Sequence, residues 1–133
     1  MNLPSEILVL ALGVVLLLVH ITLQSSIGTK ERGRQWNAGA RDETQPLMNP
    51  VAGRAERALK NYLETFPALV ALSLALAVTQ KTGGWGAVGA WLWFAGRVVY
   101  IPLYLAGIPY VRTLVWTVAT IGLFVMLMVL LFG

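Results

Sequence analysis

The stretch Ile7–Thr29, ILVLALGVVLLLVHITLQSSIGT, contains no Asp, Glu, Lys or Arg. It is longer than the roughly 20 apolar residues a helix needs to cross the hydrocarbon core of a bilayer. The residues ahead of it carry no basic side chain and no small-x-small cleavage site is evident, so an uncleaved first helix is predicted over about residues 4–26. Working outward, three more apolar stretches follow. They cover about residues 55–80, 85–106 and 111–132, separated by Lys81–Gly84 and by Gly107-Ile108-Pro109. The expected fold is all-α: an integral membrane four-helix bundle forming a single domain over residues 1–133.

Composition agrees. Hydrophobic residues make up 57% of the 133 and charged residues 12%, against about 25% charged in a soluble domain. Lipid must therefore supply much of the solvent. The chain has no cysteine, which excludes disulfides, thiolate metal ligands and a cysteine nucleophile, and the single histidine, His20, cannot build a metal site alone. No metal is expected, and nothing points to nucleic acid. Any sulfur chemistry would be that of a bound cosubstrate.

The polar residues are concentrated in one place. Gln24–Pro50 contains Lys30, Glu31, Arg32, Arg34, Arg41, Asp42 and Glu43, with Gly33, Gly39, Pro46 and Pro50 as breakers. This predicts one long loop between the first two helices. Extended to Lys60, the region adds Arg54 and Arg57; the second connection holds only Lys81 and the third only Arg112. Because lysine and arginine favour the cytoplasmic side, the first and third connections are expected in the cytoplasm and both termini on the non-cytoplasmic side. The tryptophans Trp85, Trp91, Trp93 and Trp116 suit either the membrane interface or the bundle interior. Gly13, Gly86, Gly89, Gly96 and Gly122 suit close helix packing.

Charges inside a span are expensive and call for a reason. Arg57, Asn61 and Glu64 share one face of the second helix, and Arg97, Tyr100 and Tyr104 share one face of the third. The two helices run in opposite directions, so Glu64 and Arg97 are expected at one depth, neutralising each other. A buried pair can serve only to fix helix register. With Lys60 and a second arginine at the same level, however, the group is larger than register needs. Several cations with phenol donors suit a small, multiply charged anion. His20 is read first as an interhelical or interfacial hydrogen-bonding group, and Lys30, Arg32 and Arg34 as a run facing lipid phosphate.

Arg57-Ala58-Leu59-Lys60-Asn61-Tyr62-Leu63-Glu64-Thr65-Phe66-Pro67 resembles the helix-two signature of the MAPEG family, the membrane-associated proteins in eicosanoid and glutathione metabolism. Gly96-Arg97-Val98-Val99-Tyr100, with Tyr104 and then Arg112, resembles its helix-three pattern. Tyr100–Pro109 and Ala40-Arg41-Asp42 resemble the bacterial branch, which implies a bacterial inner membrane. The resemblance spans essentially the whole chain. It implies a homotrimer with glutathione as cosubstrate, held between subunits near the cytoplasmic face. By position, Arg57, Lys60, Asn61, Glu64, Tyr100 and Tyr104 would bind it, Arg97 would brace Glu64, and Arg112 would activate the thiol. Thr65 departs from a tyrosine contact found in one class of members. Arg32, Arg34 and Arg41 are equal candidates for a further first-loop contact.

The activity this implies is that of a membrane-bound transferase or peroxidase-like enzyme, directing a glutathione thiolate at a lipophilic electrophile of unidentified structure. The alternative is a non-catalytic lipid-binding or scaffold protein of the same fold. A small proton-coupled transporter fits less well, since the first helix lacks a mid-membrane acidic residue.

Overall fold

The computed structural model of the protein describes residues 2–32, 39 and 50–133. Four helices make up its described secondary structure: α1 (Ser5–Arg32), α2 (Pro50–Val78), α3 (Gly84–Leu105) and α4 (Pro109–Phe132). Each is long and apolar enough to cross a membrane. α1 runs on past Gln24, where the polar loop was expected to begin. Polarity ends a membrane span but not a helix, and Gln24–Arg32 contains no proline. Most of the α1–α2 connection, with Arg34 and Arg41, lies outside the described residues, as does the choice among the Arg32, Arg34 and Arg41 side chains.

The start of α1, the α2–α3 turn and the end of α4 gather at one end of the bundle, here the terminal end. The α3–α4 turn and the start of α2 share the opposite, loop end. α3 and α4 form the closest pair: a Cβ on Gly96 would sit 2.8 Å from that of Ala119, and one on Gly89 would strike the Gly122 carbonyl. Small residues at such a crossing let backbones approach where apolar burial alone gives helices no reason to associate.

The core runs through Val9 and Leu16 of α1, Tyr62, Phe66, Leu69 and Leu76 of α2, Ala90 and Trp93 of α3, and Ala119, Leu123 and Met126 of α4. Its centre is aromatic. Tyr62 lies 5.3 Å from Phe66 and 5.6 Å from Trp93 between ring centroids, and its hydroxyl donates to the Gly13 carbonyl. Of the tryptophans, Trp93 is wholly interior and Trp85 is 72% exposed.

Both inter-helix turns close in the same way. Gln80 (φ 58°) and Gly107 (φ 74°) occupy the left-handed region. Lys81 N–H donates to Leu76 (2.9 Å) and Gln80 N–H to Ala77 (3.2 Å). Ile108 N–H donates to Leu103 (3.1 Å) and Gly107 N–H to Tyr104 (3.0 Å). This is the Schellman pattern, which satisfies two of a helix's last carbonyls.

Side chains from distant helices seal the terminal end. Glu6, fully buried, accepts the Gly83 N–H with its two carboxylate oxygens at 2.9 and 3.2 Å. Lys81 Nζ donates to the Leu130 carbonyl at 3.0 Å.

Candidate functional site

The side of α2 that packs inward carries Ala55, Ala58, Tyr62, Phe66 and Leu69. This stripe follows the helical spacing of three and four. It fixes the rotation of α2, and with it the fate of the polar residues beside it. Asn61 lies at the edge of the stripe and is half-buried, whereas Arg57, Lys60 and Glu64 are turned outward and exposed. The Arg57 guanidinium folds back along its own helix, so that a Cβ on Gly53 would sit 3.2 Å from its Nη1.

On α3 the arrangement is reversed. Arg97 is completely buried and Tyr100 is 3% exposed. Arg97 Nη1 donates to the Asn61 side-chain oxygen at 2.8 Å. Its Cζ lies 4.4 Å from the Tyr100 ring centroid and 5.3 Å from that of Tyr62, cation–π distances that help offset the loss of hydration. Its Nε and Nη2 have no hydrogen-bond partner. A buried guanidinium with idle donors is the kind of group that calls for an explanation.

The expected Glu64–Arg97 neutralisation is therefore not formed within the subunit. The Arg97 hydrogen bond goes to Asn61 instead, and Glu64 is exposed. The reason is geometric: with the Tyr62 stripe facing inward, position 61 borders α3 and position 64 points away from it.

The site continues from Arg97 toward the loop end as a line of stacked groups. Tyr100 and Tyr104 have ring centroids 5.4 Å apart, and Arg112 Cζ lies 4.8 Å over the Tyr104 ring. Asn61, Arg97, Tyr100, Tyr104 and Arg112 thus form one continuous ladder across three helices. Arg57, Lys60 and Glu64 are on the outward face of α2 and are not joined to it. Two groups beside the ladder were not assigned to the site from sequence. Tyr62 is fully buried under Arg97. His20 is 2% exposed, with its ring 4.8 Å from that of Tyr62, and its Nε2 makes none of the expected interhelical hydrogen bonds.

Chemically, the ladder offers cationic donors at two depths, joined by aromatic faces, with no carboxylate bonded to either arginine among the described residues. That donor set suits an anionic ligand, and the two idle nitrogens of Arg97, Nε and Nη2, have capacity for one.

The sequence model of the MAPEG family matches residues 9–132, nearly the whole chain. No curated protein and no solved structure matches it.

Proposed function

Because the chain belongs to the MAPEG family, whose members are membrane proteins that use glutathione, we propose that this integral membrane protein activates a glutathione thiolate against a lipophilic electrophile. The observation that carries the reading is the buried Arg97 with two unpartnered nitrogens, Nε and Nη2, at the head of an aromatic ladder leading to Arg112. Glutathione bears two carboxylates and an ammonium, and the polar residues divide to match it. Arg97, Asn61, Tyr100 and Tyr104 supply donors from the ladder; Arg57, Lys60 and Glu64 supply two cations and an anion from the exposed face of α2.

A charged face on a helix this apolar is costly against lipid, which supports a homotrimer in which a neighbouring subunit covers it and completes the site. In this reading the loop end faces the cytoplasm, and both termini lie on the other side. Arg112 stabilises the thiolate. A free thiol has a pKa near ~8.5 and only the thiolate is strongly nucleophilic. A guanidinium charged at every usable pH favours the ionised form. The thiol proton leaves to water, and the thiolate sulfur bonds to an electrophilic carbon of an acceptor that enters from the bilayer. Either that carbon's bond to a leaving group breaks and the group departs with the electron pair, or its π bond breaks and the resulting anion takes a proton from water.

The test is calorimetric titration of glutathione into the purified protein, with the ultraviolet absorbance of bound thiolate followed against pH. Saturable binding with thiolate present well below pH ~8.5 is expected. Absence of binding would leave the lipid-binding scaffold as the better reading.

A further inference from the structure

We propose that Arg54, in the first turns of α2, is a positioning residue that holds Arg112 in place; the catalytic sense of this rests on the reading of Arg112 as the thiolate-stabilising cation. The argument begins with one main-chain oxygen. The Schellman turn at the end of α3 occupies the carbonyls of Leu103 and Tyr104, and Ala106 N–H takes that of Pro102. The Leu105 carbonyl remains. Its partner in a continuing helix would be the N–H of residue 109, but residue 109 is proline and has none.

Arg54 supplies the missing donor, with Nη1 3.2 Å from the Leu105 oxygen. A cation at a helix C-terminus also meets the negative end of the helix dipole. The guanidinium lies flat against Gly107, where a Cβ would sit 2.8 Å from its Cζ. Gly107 therefore serves twice: it adopts φ 74° and it leaves room for Arg54.

This contact matters for Arg112 because little else holds the start of α4. Tyr110 is 88% exposed, Val111 50% and Leu114 64%. Among the described residues Arg112 makes no hydrogen bond, and its stacking partner Tyr104 directly precedes Leu105. Arg54 thus clamps the short segment whose two sides carry Tyr104 and Arg112, and the register of the stack depends on it.

The experiment uses the full chain in lipid nanodiscs. Since the protein has no cysteine, Tyr110→Cys accepts a single nitroxide label that reports the motion of the α3–α4 segment. Arg54→Gln should make the label more mobile and move the bound-thiol titration toward that of the free thiol, by roughly half a pH unit or more. Arg54→Lys, which keeps the charge but not the planar fork, should recover part of both effects and serves if Arg54→Gln does not fold. A label as immobile as in the parent protein would overturn the proposal. So would a mobile label with an unchanged thiol titration, which would make Arg54 a helix cap and nothing more. If glutathione binds to no form of the protein, the thiol role of Arg112 falls, and the label alone decides whether Arg54 holds it.

Discussion

Arg97 donates its 2.8 Å hydrogen bond to Asn61 and leaves Glu64, one turn further along α2, unbonded and exposed. A neutral amide oxygen is thus the only hydrogen-bond acceptor that the described residues offer to a fully buried guanidinium. Within the subunit, the cation and the carboxylate are held apart by the rotation of one helix.

The first prediction follows from that separation. Asn61→Leu removes the only acceptor bonded to Arg97 and should cost about 1–3 kcal/mol. In a double-mutant cycle, Asn61 and Arg97 should couple by roughly 0.5–3 kcal/mol. Glu64→Gln in a detergent-isolated monomer should change stability by less than about 0.5 kcal/mol, as at other exposed positions. Thermal unfolding of the purified variants measures all three. A large Glu64–Arg97 coupling in the monomer would restore the direct pair.

Glu6 should be a stability determinant despite its place at the head of an apolar helix. Glu6→Ala removes both carboxylate oxygens that accept from the Gly83 N–H, a hydrogen bond to a charged group, and is expected to cost about 1–3 kcal/mol. Glu6→Gln, which keeps one acceptor, should cost less. Hydrogen exchange at the Gly83 amide, slow in the parent protein and fast in Glu6→Ala, checks the cause directly.

Gln80 marks a site where the natural residue is not the most stable one. It closes α2 at φ 58°, a conformation that is strained by about 1–2 kcal/mol for a residue with a Cβ. Gln80→Gly relieves that strain but adds freedom to the unfolded chain, for a net gain of about 1 kcal/mol or less. Gly107→Ala should do the opposite and more strongly, since the new methyl meets both the backbone restriction and the Arg54 guanidinium. Unfolding midpoints of the two variants should move in opposite directions.

Arg112 distinguishes activation from anchoring. A cation that merely seats the chain at lipid phosphate tolerates exchange for lysine. One that stabilises a thiolate through a planar guanidinium stacked on Tyr104 does not. Arg112→Ala should raise the pKa of bound glutathione thiol toward ~8.5, and Arg112→Lys should fall between that and the parent protein. Identical thiolate titrations in all three would remove Arg112 from the chemistry.

The four helices were legible because spanning lipid demands a long, mostly apolar run, which needs no knowledge of partners. The members of the ladder were legible too, since Arg97, Tyr100 and Tyr104 repeat at helical spacing. What spacing does not fix is helix rotation. Asn61 and Glu64 occupy neighbouring strips of α2, and the packing of Tyr62, Phe66 and Leu69 decides which of them meets α3. Arg54 and Glu6 escaped notice for a different reason. Their partners are main-chain groups 51 and 77 residues away, and no side-chain pattern advertises an unfilled carbonyl. One signal was available: Pro109, four residues after Leu105, marks an oxygen that no backbone donor can reach.

The capping of Glu6 by Gly83 has a consequence for biogenesis. Acceptor and donor are 77 residues apart, and at about 5–20 residues per second the ribosome needs roughly 4–15 s to make the chain between them. During that interval α1 is long and apolar enough to insert, but the Glu6 carboxylate lacks the main-chain donor it has in the finished bundle. The arrival of the α2–α3 turn then supplies that donor. The same bond that stabilises the finished bundle therefore forms late: the first helix gains this contact only after α2 and the turn behind it have been made.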